Sequence, residues 1–149
     1  MSFPAHAKEM SLVEQEVMNL SGLRVLVVDD DQDSCMLYRS ILELFGATVQ
    51  VQHSAEEALK AIHTFSPNAL LCDIVMPEMD GYSFIREVRS RGLQIPAVAV
   101  TAQIRAVDPL GVQDAEDAQA AGFDFYIVKP VELDALVAMA GQLISCLQA

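Results

Sequence analysis

Basic side chains are scarce. Nine Lys and Arg stand against 21 Asp and Glu, and the formal net charge is −12. The nine are scattered and form no stripe. Direct nucleic-acid binding needs clustered cations to neutralise phosphates, so this balance argues against that class of partner. Cysteine is nearly absent. Cys35, Cys72 and Cys146 are an odd set with no CxxC spacing. They read as small buried hydrophobes in a reducing compartment. No apolar run reaches the ~18 residues that a membrane span needs. The first ten residues, MSFPAHAKEM, lack the apolar core of a signal peptide. The expectation is a soluble, cytoplasmic chain with no membrane contact.

What is present is ample apolar material. At 149 residues, 52% of them apolar, the chain fits one domain that buries roughly two thirds of its unfolded surface. Five short apolar runs punctuate it: Leu23–Val28, Ala47–Val51, Ala69–Cys72, Pro96–Val100 and Phe123–Val128. Four are near-continuous rather than alternating, as suits strands covered on both faces of a parallel sheet. Helical patterns lie between them. Leu37, Ile41, Leu44 and Phe45 predict one apolar stripe, and Ala55, Ala58, Leu59 and Ile62 a second. A third, longer stripe joins Leu133, Leu136, Val137, Ala140, Leu143, Ile144 and Leu147. Gly46 and Gly122 stand where C-terminal helix caps belong. This alternation predicts an α/β, doubly wound five-stranded parallel sheet with right-handed crossovers and helices on both faces.

The stretch from about Pro109 to Ala121 is the weakest helix. Its apolar face is mostly Ala115, Ala118 and Ala121, opposite Asp114, Glu116 and Asp117. So thin a face predicts an element that moves easily. Residues 1–21 stand apart as an N-terminal extension or linker, and 22–149 form the domain. Within the extension, Met10, Val13, Val17 and Leu20 make a heptad-like seam. Two turns are too few for a coiled coil alone. The segment is either a tail or a short helix that docks on a neighbour, including a possible homodimer mate.

Ligand sites in open α/β sheets lie beyond the carboxyl ends of the strands. The first strand ends in Asp29-Asp30, with Asp31 and Asp33 after it. The third ends in Asp73, the fourth in Thr101 and the fifth in Lys129-Pro130. The second offers Gln52 and His53. Like charges about 4 Å apart repel by roughly 4 kcal/mol at an effective dielectric near 20. A cluster of three carboxylates must therefore protonate or hold a cation. Hard oxygens at an open site suit Mg²⁺ with a phosphate. A carboxylate there can act as nucleophile toward phosphorus, Lys129 can pair with Asp73 or with phosphate oxygens, and Thr101 offers a hydroxyl donor. Asp31 and Asp33 fit a helix cap and first-turn acid. His53 and His63 read as surface residues flanking helices, and Cys72 as inert packing.

From Leu23 to Leu147 the chain resembles the receiver domain of two-component response regulators. The resemblance rests on Asp29-Asp30 after VLVV, Asp73-Ile74-Val75-Met76-Pro77 with Gly81 eight residues past Asp73, Thr101-Ala102 after PAVAV, and Lys129-Pro130. It implies a flavodoxin-like sheet in strand order 2-1-3-4-5, and that Asp73 accepts a phosphoryl group from a histidine kinase or histidine phosphotransfer protein. It implies that Asp30, Asp73 and the Val75 carbonyl ligate Mg²⁺, with Asp29 acting through water. Thr101 and Lys129 would bind phosphate oxygens, and Thr101 and Tyr126 would switch a surface read by a downstream protein. For Tyr126, a core tyrosine and a working switch stay open.

The spacing departs from a compact receiver at one place. Thr101 and Lys129 are 28 residues apart, and the extra length falls in QIRAVDPLGVQDAED. This implies a longer loop and a late start for the weak helix. Two other functions compete. A pseudo-receiver that only binds partners would not need Asp30, Asp73, Thr101 and Lys129 together. A haloacid dehalogenase-like phosphohydrolase needs an acid two residues past its nucleophile, where this chain has Val75. A flavodoxin is weaker still, since no phosphate-binding loop follows the first strand. The expectation is a phosphoacceptor signalling domain, not an enzyme in the ordinary sense. No further domain follows the last helix in this sequence, so it reads as a stand-alone regulator or as the receiver piece of a hybrid kinase. Phosphoryl lifetime would depend on Val75 and Gln103.

Overall fold

The computed structural model describes residues 18–102 and 112–148, with side chains from residue 116 onward in the second span. The predicted contributions of Met10, Val13, Val17, Gln103, Asp114 and Ala115 lie outside these described residues and side chains.

Among the described residues, five strands and five helices alternate: β1 (Arg24–Val28), α1 (Gln32–Leu44), β2 (Thr48–Gln52), α2 (Ala55–Phe65), β3 (Ala69–Asp73), α3 (Gly81–Ser90), β4 (Ala97–Ala102), α4 (Val112–Ala121), β5 (Phe125–Lys129) and α5 (Leu133–Gln148). All four strand pairs are parallel, and the sheet order is β2-β1-β3-β4-β5. The flavodoxin-like prediction therefore holds. The order reverses between β1 and β3, which places the switch point of the fold at the tips of the strands that end in Asp29-Asp30 and Asp73.

Burial explains the near-continuous apolar runs. Every residue of β3 is buried, because helices cover both of its faces. Successive side chains of a strand point to opposite faces. Val25, Val27, Leu71, Val98, Val100 and Ile127 share one core with α1 and α5. Leu26, Val28, Leu70, Cys72, Ala97, Ala99 and Tyr126 share the other with α2, α3 and α4. The edge strand β2 is only partly covered, and its pattern is correspondingly mixed. Leu20 is fully buried in the first core, and its amide donates to the Phe45 carbonyl at 2.7 Å. The packed unit thus begins before residue 22.

Two predicted faces need correction. In α1 the buried residues are Cys35, Tyr38 and Leu42, whereas Leu37 and Leu44 are exposed, Leu44 by 77%. The helix is turned so that Tyr38, not Leu37, faces the sheet. Burying the larger tyrosine ring removes more apolar area from water. In α5, Leu136, Val137, Ala140 and Leu143 are buried as the stripe predicts, but Leu133 and Leu147 are exposed because the sheet does not reach the helix ends. Cys146 is exposed on the same helix, against the expectation that all three cysteines are buried.

Gly46 and Gly122 do cap α1 and α4. Both have positive φ, and in both cases the next amide reaches back five residues, Ala47 to Leu42 and Phe123 to Ala118. In α4, Ala118 and Ala121 are buried and Glu116 is exposed, so its described contact with the sheet is made by small side chains.

Candidate functional site

Because the strands are parallel, β1, β3, β4 and β5 end on one rim, and their final residues converge there. Among the described residues, Asp29, Asp30 and Asp73 bring one carboxylate oxygen each to within 4.8 Å of one another. Asp29 and Asp73 are buried, and Asp30 is exposed.

Asp29 is the costliest of the three. Its Oδ1 accepts the Asp31 amide at 2.9 Å, but its Oδ2 is buried with no hydrogen-bond partner among the described residues. Burial pushes its pKa up to about 6. The Asp31 amide works against this, the Asp73 charge adds to it, Lys129 opposes it and Asp30 adds again. A carboxylate in this position favours a proton or a cation. The observed donor set fits a hard divalent cation: three carboxylates, an orphaned oxygen and an open rim suit Mg²⁺.

Asp73 is held at both oxygens. Oδ1 accepts the Val75 amide at 3.2 Å, and Oδ2 accepts Lys129 Nζ at 2.9 Å. The lysine comes from the last residue of β5, so the pair joins two strands that are not neighbours. Burial pulls the Lys129 ammonium down, yet its hydrogen bond to Asp73 and the Asp73 and Asp29 charges outweigh burial and raise its pKa. The Lys129–Pro130 peptide is cis.

The loop after Asp73 is shaped by close approach. A Cβ at Gly81 would lie 2.5 Å from the Asp73 carbonyl oxygen and 2.8 Å from Ile74 Cα. Only glycine lets the start of α3 pass so near the strand tip. The Gly81 amide closes the loop on the Ile74 carbonyl at 2.9 Å, and Asp80 caps α3 through the Ser83 amide at 2.8 Å. Val75, in this loop, is 71% exposed.

Thr101 is buried, and its hydroxyl has no hydrogen-bond partner among the described residues. The alternation of β4 puts it on the face it shares with Ala97 and Ala99, which is also the face of Tyr126. Tyr126 is 2% exposed and packs in the core beneath α3 and α4. Asp31 occupies the N-cap of α1, where its carboxylate accepts the Ser34 hydroxyl at 2.7 Å, and Asp33 follows in the first turn. Cys72 is buried within β3, and burial raises its thiol pKa well above the ordinary value. His63 is exposed on α2 beside Arg91. His53 is exposed too, yet its Nδ1 lies 3.1 Å from the Asp29 carbonyl oxygen. Sequence reasoning missed that reach, since it depends on β2 lying beside β1.

The chain matches the response regulator receiver domain model over residues 25–141. A protein described as an uncharacterized 14.6 kDa protein in the sodA1 3′ region of Leptolyngbya boryana is 38% identical over 128 residues, covering 85% of this chain and 93% of that one. Response regulator MprA of Mycobacterium ulcerans is 36% identical over 117 residues, 78% of this chain and 48% of its own. This chain therefore spans about half the length of that relative. A solved structure of a putative response regulator from Chloroflexus aurantiacus is similar with a TM-score of 0.74 and 30% identity, covering 83% of this chain and 98% of that one. The chain belongs to the response regulator receiver domain family, a class of two-component signalling domains. Receiver domains of this family bind Mg²⁺ at an acidic cluster and interact with histidine kinases and downstream effectors.

Proposed function

We propose that the chain is an active receiver in which Asp73 accepts a phosphoryl group, in a Mg²⁺-dependent reaction, from a histidine kinase or histidine phosphotransfer protein. The observation that carries this is the position of Asp73. It is a buried carboxylate at the fold's switch point, within 4.8 Å reach of two further carboxylates and 2.9 Å from an ammonium.

Asp30, Asp73 and the Val75 carbonyl are the proposed ligands of Mg²⁺, with Asp29 acting through water. Bound there, Mg²⁺ supplies positive charge that offsets carboxylate repulsion and neutralises phosphoryl oxygens. An Asp73 oxygen attacks phosphorus, the phosphorus–nitrogen bond of the donor phosphohistidine breaks, and the imidazole leaves with the bonding electrons. Lys129, already beside Asp73, follows the charge onto the transferring oxygens. Thr101 brings a buried hydroxyl that lacks a partner, so a phosphoryl oxygen at Asp73 would gain a donor without displacing an existing bond. Its shared face with Tyr126 supports a switch in which the two side chains move together toward the site. Coupling of roughly 1–3 kcal/mol is the usual scale for such a switch. The thinly packed α4 is the element it would bias.

We read 22–149 as the receiver unit and the preceding residues as an extension whose last described residues pack on it. A cytoplasmic location is the corresponding proposal. Among the described residues no helix is long and apolar enough to cross a membrane.

Incubation with acetyl phosphate and Mg²⁺, read by intact mass, tests the reading. One added phosphoryl group that requires Mg²⁺ and disappears in Asp73→Asn is the expected result. No adduct, together with no beryllofluoride binding, would replace this reading with the pseudo-receiver.

A further inference from the structure

The second strand, set aside when the strand ends are read from sequence, reaches the site through its backbone neighbour. His53 follows β2 directly, and the Asp29 amide donates to the Gln52 carbonyl at 3.1 Å, so the two chain segments run side by side. The Asp29 carbonyl oxygen then faces two side chains. Cys35 Sγ, from the first turns of α1, lies 3.2 Å away, and His53 Nδ1 lies 3.1 Å away. The two side chains are themselves 3.8 Å apart. A carbonyl only accepts, and it has two lone pairs, so it can take the thiol proton and an imidazole N–H together. That chemistry sets the tautomer: the ring carries its proton on Nδ1.

This carbonyl belongs to the peptide that joins Asp29 to Asp30. The peptide is planar, so fixing its oxygen fixes the direction in which Asp30 leaves the strand. Asp30 is the exposed member of the three-carboxylate cluster and has the least packing to orient it. Outer hydrogen bonds of this sort commonly orient the ligands of a metal. We infer that His53 is a positioning residue of the acidic site, which holds the Asp29–Asp30 peptide through its Nδ1–H and so aims Asp30 at the cation. The inference rests on the reading of that cluster as a Mg²⁺ site.

The test uses the full chain with two substitutions, His53→Leu and His53→Asn. The Asn amide nitrogen can stand where Nδ1 stands, whereas Leu offers no donor. Mg²⁺ titration by calorimetry should show His53→Leu binding roughly threefold to tenfold more weakly, the scale of one net hydrogen bond. His53→Asn should bind like the wild type. Labelling by acetyl phosphate should slow by the same factor at limiting Mg²⁺ and recover at saturating Mg²⁺. Thermal denaturation without metal should show no loss in His53→Asn and at most the loss of one net hydrogen bond in His53→Leu, with both variants fully folded at the titration temperature, which separates positioning from a structural role. Equal Mg²⁺ affinity in His53→Leu and wild type overturns the inference, as does His53→Asn that binds as weakly as His53→Leu. Wild type that takes up no Mg²⁺ overturns the cation reading instead. The Asp30 amide resonance of the metal-free protein then decides on His53 alone: it must move in His53→Leu and not in His53→Asn, and an unmoved resonance in His53→Leu overturns the inference.

Discussion

At the amino-terminal rim of the sheet, polar side chains close gaps in the backbone. Asn68 accepts the Arg24 amide at 2.7 Å and donates to the Gly22 carbonyl at 2.9 Å. The Arg24 guanidinium donates to Phe65 and Ser66 carbonyls and lies over the Phe65 ring, 4.3 Å from its centroid. Asp124 accepts both the Ala97 amide, at 2.9 Å, and Arg89, at 3.1 Å. Arg89 also ties down the Gly122 and Leu93 carbonyls. At the carboxyl-terminal rim the same residue types are used differently. Asp29 Oδ2 and Thr101 Oγ1 are buried without partners among the described residues, and acids crowd together. Burying such groups unpaired costs about 1–3 kcal/mol each. One rim satisfies its polar groups from within the chain and so contributes stability. The other keeps polar groups unsatisfied, as the proposed binding of a cation and a phosphoryl group requires.

Substitutions at the two rims should therefore separate stability from chemistry. The largest effect is expected for Asp73→Asn, which should remove phosphoryl uptake entirely while chemical denaturation changes little, because Asn can still accept from Lys129. Asp124→Ala is the counterpart at the other rim. It strands the Ala97 amide and frees Arg89, and should cost about 1–3 kcal/mol in urea unfolding while acetyl phosphate labelling proceeds as in the wild type. Reduced labelling of folded Asp124→Ala would undo the division between rims. Val75→Asn places a polar group beside the proposed phosphoryl site, where the native side chain can orient no water. Phosphoryl loss, followed by mass against time, should become a few times faster, and an unchanged or slower loss counts against the assignment. The smallest change is expected for Thr101→Val. Replacing an unpaired buried hydroxyl by a methyl should leave stability equal or raise it by up to about 1 kcal/mol. Hydrogen exchange of α4 should then respond less to beryllofluoride than it does in the wild type.

The candidate site was legible as a cluster because each of its residues follows an apolar run. Asp29-Asp30, Asp73, Thr101 and Lys129 stand at the tips of strands, and parallel strands carry their ends to one rim. The helix faces were less legible. Leu37, Ile41 and Leu44 satisfy a helical period as well as Cys35, Tyr38 and Leu42 do, and only the sheet beneath α1 chooses between them. Cys146 looked like the other cysteines until the end of α5 was seen to run past the core. The contact of His53 with the Asp29 carbonyl joins residues 24 apart in sequence and leaves no periodic trace.

The sequence by itself determined the order of elements, the parallel sheet and the identity of the polar groups at its rim. These follow from short-range patterns, apolar runs and the residues that end them, which the chain carries whatever its neighbours do. Only the tertiary structure decided which oxygen of Asp29 is left without a partner among the described residues, that Lys129 reaches Asp73 across the sheet, that Gly81 must be bare against the Asp73 carbonyl, and that His53, just past β2, meets the Asp29 carbonyl. Each of these depends on the distance between segments far apart in the chain, and that distance is set by packing two cores against one twisted sheet rather than by any local preference.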